Sequence, residues 1–240
     1  MARIALLLTA ALLSQAQSVV ARLANVPRQV PRDYRHYSTC GLLRAHRIAR
    51  RISDGDDVLD IGCADGRMLR DIGLFRELGR TAGVDVHKPT TLALPDLDFH
   101  LYDGRTLPFR DRSFDVVIFG YVLHYLTRPH AIDLLQQATR IARRRVIVIE
   151  DSLPALTALY RLRNRVEHAR GNLLYGVPGG GRYRTAPDDQ MYLTIPEWGA
   201  LLSGLPGAAS IDVERLDVIS ELVHHTLFEV TLATSASAGT

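Results

Sequence analysis

Residues 58–69 read VLDIGCADGRML, an apolar run that ends in an acid, a turn bounded by two glycines, and the opening of a helix. A chain that passes from strand to helix through so short a turn is confined to a few α/β arrangements. The other apolar runs narrow the choice further. TAGVDV (81–86), FHLYD (99–103), FDVVIFG (114–120) and VIVIE (146–150) are mostly continuous rather than alternating. Strands of that kind are covered on both faces, as in parallel sheets. Helical stretches at 66–78 and 129–142 separate them, which predicts a doubly wound α/β fold with helices on both faces. Near the C-terminus, IPEWGALLSGL (195–205) reads as a helix, and SIDVERLDVIS and VHHTLFEVTLA read as two β segments forming an antiparallel hairpin. The expected sheet therefore has seven strands, mostly parallel, with an antiparallel last strand.

Composition agrees with one such domain. The chain has 240 residues, 47% hydrophobic and 23% charged, which is ordinary globular usage. Two cysteines, Cys40 and Cys63, make neither a disulfide framework nor a four-ligand zinc site. The net charge is +3 and the pI about 9.0, with Lys88 the only lysine. The arginines do not form the dense stripe of a dedicated nucleic-acid binder, so nucleic acid is not an expected partner.

Outside the central region the chain is less informative. Residues 1–52 read as an N-terminal helical segment and 53–234 as the main domain. Within that domain, 151–195 are an insert with an arginine-bearing helix at 153–170 and a Gly-rich loop at 176–181. Residues 235–240 are a mobile tail. IALLLTAALL at 4–13 follows Arg3 and resembles a secretory signal. Thr, Ser and Gln interrupt the run, which makes it a poor membrane span. Ile4, Leu8, Leu12 and Val19 also recur at helical spacing, so a packed helix is the favoured reading and a signal or anchor within 1–20 the alternative.

The chemistry concentrates at the carboxyl ends of the parallel strands, where such sheets bind ligands. No GxxxxGK[ST] is present, so the glycine turn is not a triphosphate loop. Gly62 allows close backbone approach to a ligand and Gly66 a tight entry into the helix. Asp60, on the strand itself, would repel a pyrophosphate but suits an ammonium group. Asp85 ends the second strand, where an acid can accept hydrogen bonds from ribose hydroxyls. Asp103 and Gly104 end the third, within reach of an adenine edge.

With these pieces in order, the chain resembles the class I S-adenosylmethionine-dependent methyltransferases, closest to the broad small-molecule branch called type 11. The resemblance spans about 57–151 and rests on DIGCADG (60–66), GVDV (83–86), DGRTLPFRDRSFDVV (103–117) and YVLHYL (121–126). It implies a Rossmann-like methyltransferase fold with S-adenosyl-L-methionine as cofactor. Asp60 would then face the methionine end, and the backbone of Gly62, Cys63, Ala64 and Gly66 would surround the cofactor. Asp85 would hold the ribose hydroxyls, Val86 would pack on the adenine, and Asp103 with the Gly104 amide would meet the adenine edge. Tyr121 would approach the methionine part or the acceptor. Ala64 departs from the family pattern, which commonly has glycine there, and needs φ < 0 or a small strain. The cofactor is chiefly cytosolic, which favours a cytoplasmic enzyme over a secreted or membrane-anchored one.

The remaining residues carry competing readings. Cys63 reads as a small packed residue. His124 is a candidate base, and Tyr121 and Asp151 are further catalytic candidates. Glu150 and Asp151 could serve the acceptor, although Asp151 or Ser152 reads better as an N-cap for a following helix. Trp198 and Tyr192 read as core. His168 and its neighbouring arginines read as a solvated face. His224 and His225 alternate along a strand and cannot share one metal, and Asp85 with His87 is no better placed, so no metal site is expected. The expected acceptor is a small or medium-sized molecule, with 151–195 as a lid over it. The arginines at 143–145 and 161–170 motivate a protein or RNA acceptor instead. The lack of an identifiable base motivates a non-catalytic cofactor-binding module. Acceptor identity and oligomeric state are not legible.

Overall fold

The computed structural model describes residues 39–152, 191, 193–216 and 224–233. The N-terminal apolar run, the insert with its arginines, His168 and Gly-rich loop, Tyr192 and the tail all lie outside the described residues. In chain order the elements are α1 (Thr39–Ala49), β1 (Val58–Ile61), α2 (Arg67–Ile72), β2 (Thr81–Asp85), β3 (Asp98–Leu101) and β4 (Phe114–Gly120). After a 3₁₀ turn at Leu123–Tyr125 come α3 (Arg128–Ile141), β5 (Ala142–Ser152), α4 (Ile195–Ser203), β6 (Ala208–Arg215) and β7 (His224–Leu232).

Seven strands form one sheet in the order β3-β2-β1-β4-β5-β7-β6. The first five are parallel; β7 runs antiparallel to both β5 and β6. The order reverses between β1 and β4, which opens a crevice at their carboxyl ends.

The strands are continuous apolar runs because each has two faces to bury. Leu59, Ile61, Val117, Phe119, Val146 and Val148 pack beneath α3 and α4, against Leu134, Leu135, Ala138 and Trp198. Their sequence neighbours Val58, Val116, Ile118, Ile147 and Ile149 turn the other way and meet Ala45 and Ile48 of α1 and Leu69 and Ile72 of α2. Adjacent strand residues point to opposite faces, so the core divides into two layers with the sheet between them.

Several boundaries differ from the sequence reading. The helix expected over 66–78 ends at Ile72: Gly73 caps it, its N–H turning back to the Leu69 and Asp71 carbonyls. The third strand spans 98–101, and Tyr102 and Asp103 lie past its end. The fifth is 11 residues long, beginning with the arginines and continuing through Asp151 and Ser152. Neither residue is therefore an N-cap. β7 pairs with β5 out to Ser152, so the backbone there is laddered, and Ser152 Oγ lies 2.5 Å from Thr226 Oγ1.

Candidate active site

β1 delivers Asp60 to the crevice. Its side chain is fully buried, and neither carboxylate oxygen has a hydrogen-bond partner among the described residues. Burial, reinforced by the Asp85 carboxylate and opposed by the Arg44 guanidinium, holds Asp60 well above the usual carboxylate range. A buried acid left without donors is costly, so its native structure calls for an explanation.

The turn after β1 is tightly determined. Gly62 has φ +74°, and a Cβ there would lie 2.3 Å from Val122 Cγ2. The glycine is thus required by the chain after β4, whose side chain fills the space expected to be open for a ligand. Gly66 has φ +79°, and a Cβ there would strike Leu97 at 2.7 Å. Ala64 takes φ +48°, so the strained alternative is the one adopted. Asp85 braces this alanine: one carboxylate oxygen accepts the Ala64 N–H at 2.9 Å, and the other accepts the His87 N–H at 2.9 Å. Cys63 is buried beneath the turn, and burial pushes its thiol pKa up, which suits packing rather than nucleophilic chemistry.

Asp103 lies on the next rim. One of its oxygens accepts the N–H groups of Thr106 and Arg105, both at 2.8 Å, and these bonds hold its carboxyl below the ordinary value. The adjoining Gly104 carbonyl lies 2.5 Å from His130 Nε2 on α3, a contact that no local motif announces. Between the two acids, Tyr102 is partly buried, and burial followed by the charges of Asp85 and Asp103 pushes its phenol up to about 12. Val86, beside Gly104, is an apolar side chain left 44% exposed.

The β4 and β5 ends form the other wall. Tyr121 takes φ +59°, and its N–H is held by the Ile149 carbonyl at 2.9 Å. Its ring lies under the Arg44 guanidinium at 4.4 Å and edge-on to His225 at 5.1 Å. His124 and Glu150 are both buried, and His124 Nδ1 lies 2.5 Å from Glu150 Oε2. Burial alone would lower the His124 pKa; the Glu150 carboxylate, with Asp151 adding and His225 opposing, reverses this and raises it. Asp151 pairs with His225 at 3.2 Å. Successive residues Glu150 and Asp151 thus each meet an imidazole, on opposite faces of β5.

The structure therefore gathers Asp60, the Gly62–Gly66 turn and Asp85 around the β1 end, places Val86, Asp103 and Gly104 along the β2–β3 rim, and sets Tyr121, His124 and Asp151 at the β4–β5 end. The sequence reading missed Arg44 and His130, and weighed His225 only as a metal ligand. They come from α1, α3 and β7, and only folding brings them to this edge. Trp198 is core, packed on Phe228. Among the described residues no cluster of His, Cys, Asp or Glu could hold a metal ion, and no helix is long and apolar enough to cross a membrane.

Charges at the opposite edge are mutually paired. Arg143 bridges Asp57 (3.1 Å) and Asp115 (3.0 Å), Arg144 meets Asp56, and Arg145 meets Glu229 at 2.8 Å. The basic run at 143–145 is thus internal bracing. A groove of about 520 Å³ beside it is lined by Arg50, Arg51, Arg76, Arg145 and Glu229 and lies away from the crevice.

Residues 59–149 match the family model of the methyltransferase domain. The match spans less than half of the chain; together with the strand order it makes this region similar to the class I S-adenosylmethionine-dependent methyltransferase domains. No curated protein matches the chain in sequence. Solved structures with the same fold are distant. A putative methyltransferase from Bacillus halodurans is 13% identical, with 80% of this chain and 97% of that one covered and a TM-score of 0.55. The 1,6-didemethyltoxoflavin-N1-methyltransferase of Burkholderia thailandensis, solved with bound 1,6-didemethyltoxoflavin and S-adenosylhomocysteine, is 16% identical, with 80% and 78% covered and a TM-score of 0.55. Phosphoethanolamine N-methyltransferase 2 of Haemonchus contortus, in complex with S-adenosyl-L-methionine, is 13% identical, with 80% and 52% covered and a TM-score of 0.57.

Proposed function

We propose that this protein transfers a methyl group from S-adenosyl-L-methionine to a small or medium-sized acceptor, in the cytoplasm. The observation that carries the cofactor site is Asp60, a fully buried carboxylate with no partner at the crevice. An ammonium group such as that of the cofactor's methionine end would supply the missing donors, and a charge-assisted bond there is strong because the site excludes water. Asp85 keeps lone pairs beyond the two backbone bonds it accepts, enough to take ribose hydroxyls. Val86, exposed beside Gly104, offers an apolar face for the adenine, and Asp103 and the Gly104 amide offer polar contacts at its edge.

The bound sulfonium supplies an already activated methyl group. The chain's own residues then position the acceptor and exclude water, and alignment alone accounts for several kcal/mol of such a reaction, on the order of 7–11 in the best cases. Tyr121, His124 and Asp151 face the acceptor side in this reading. Two of the known structures with this fold bear names of small-molecule N-methyltransferases, which supports an acceptor of that size. The internal pairing of Arg143, Arg144 and Arg145 removes one motive for a protein or RNA acceptor.

Calorimetric titration with S-adenosylhomocysteine tests the proposal. Micromolar or tighter binding is expected, weakened about tenfold or more by Asp60→Asn, or roughly 1.4 kcal/mol or more. Equal affinity in the two proteins would remove Asp60 from the site, and no binding by folded wild type would remove the reading itself.

A further inference from the structure

The Glu150 carboxylate makes two contacts. Its Oε1 accepts the Leu123 N–H at 2.6 Å, and its Oε2 lies 2.5 Å from His124 Nδ1. The side chain has no exposure and His124 very little. An ionised carboxylate only accepts hydrogen bonds. Facing it, Nδ1 must carry the proton, so Nε2 is the nitrogen left with a lone pair in the neutral ring. Holding the turn after β4 needs only the oxygen at Leu123. The second oxygen orients an imidazole, at the end of the strand that also places Tyr121.

We propose that Glu150 is a positioning residue that holds His124 as the Nδ1–H tautomer, so that Nε2 takes a proton from the methyl acceptor. The inference rests on the methyltransferase reading and deepens it by fixing the acceptor's class. The acceptor carries a hydroxyl or a protonated nitrogen, groups that become adequate nucleophiles by losing a proton. A thioether or an already neutral amine needs no such base. In the step, the acceptor's X–H proton passes to Nε2 while the X–C bond forms. The C–S bond breaks with its electron pair staying on sulfur. Glu150 remains ionised, and the imidazolium later returns its proton to solvent. Other titratable groups act on His124: Asp151 and His225 of the β5–β7 ladder through their charge, and the Tyr121 ring at 6.5 Å and the Tyr125 ring at 4.0 Å. Glu150 touches its Nδ1 directly. The charge of Glu150 outweighs the burial of His124 and raises its pKa, which favours the ring as a proton acceptor.

The test is long-range ¹H–¹⁵N correlation spectroscopy of the uniformly labelled full chain between pH 5 and 9, with H124N to assign the His124 signals. Wild type should show an Nδ1–H, Nε2-lone-pair imidazole that titrates above the ordinary histidine midpoint. E150Q keeps an oxygen for the Leu123 N–H but loses the charge. Its His124 midpoint should fall by about one pH unit or more, while affinity for S-adenosylhomocysteine stays within about threefold. An Nε2–H tautomer in wild type would overturn the proposal even if E150Q fails to fold, and so would an unmoved midpoint in a folded E150Q. If wild type shows the expected tautomer yet binds no S-adenosylhomocysteine, the methyltransferase reading fails first, and the base is left without a reaction to serve.

Discussion

Ala64 holds φ +48° in the turn that wraps the proposed cofactor, a conformation an L side chain reaches at a cost of about 1–2 kcal/mol. Its N–H is fixed by Asp85, which explains why the strain persists. Ala64→Gly should therefore stabilise the protein by about 1 kcal/mol in urea denaturation, the relief of strain exceeding the entropy a glycine adds to the unfolded chain. Asp60 is the opposite kind of position. Its carboxyl is raised in the folded state, so the native protein binds more protons than the unfolded one above the unfolded carboxylate pKa of about 3.9. Cofactor-free stability should then fall as pH rises from that value until the folded pKa is passed. Asp60→Asn should flatten this slope and stabilise the cofactor-free protein at neutral pH by about 1–3 kcal/mol, even as it weakens S-adenosylhomocysteine binding. Binding itself should weaken on acidification, because protonated Asp60 no longer attracts an ammonium group. A pH series by calorimetry separates the two effects.

Helix α4 shows local sequence and structure in agreement. Thr194 and Glu197 form a reciprocal capping box, and Pro196 sits in the first turn. Thr194→Ala should cost about 1 kcal/mol of stability, read as a lower midpoint in thermal unfolding. The two bonds that the Thr194 amide and hydroxyl donate also hold the Glu197 carboxyl below its ordinary value. That contribution is present above the unfolded pKa and lost as pH falls through the folded one. Other elements were less legible. α2 is shorter than its apolar spacing suggested, because Gly73 ends it and the chain must reach β2. β5 is longer than VIVIE, because its arginines find acids on the neighbouring loops and strands and its last residues pair with β7. Neither partner is visible from the strand's own residues.

Across the whole molecule, α1 is tied to the C-terminal hairpin. Arg51, just past α1, meets Asp212 at 2.9 Å and Glu214 at 2.8 Å on β6, and Glu229 at 3.1 Å on β7; Arg47 joins Glu214 at 2.6 Å. The Arg51 side chain is 12% exposed and that of Glu229 15%, so the pair is sheltered from screening. Arg51→Met should cost about 2 kcal/mol, less than the 3–5 of a fully buried pair, read as a lower urea midpoint whose difference from wild type changes little with added salt. On the opposite layer, Trp198 packs against Phe228 at 5.7 Å between ring centroids. Trp198→Ala should remove about 3–5 kcal/mol, measurable as a large drop in urea midpoint.

The doubly wound sheet, its hairpin ending and the rim acids Asp60, Asp85 and Asp103 were readable in the chain itself. Continuous apolar runs report burial on both faces, and an acid at a strand's end or a glycine at a turn reports a local backbone need. Those signals are encoded within a few residues of where they act. The reason for Gly62 was not encoded there, since it is Val122, sixty residues on, that fills the space its missing side chain leaves. Nor was the pairing of His124 with Glu150, of Asp151 with His225, or of Tyr121 with Arg44. Each joins side chains from different elements. The order of strands decides which ends stand side by side, and the twofold alternation of β5 decides which face each carboxylate meets. Such contacts depend on distances between chain segments far apart in sequence, and only the packed sheet sets those distances.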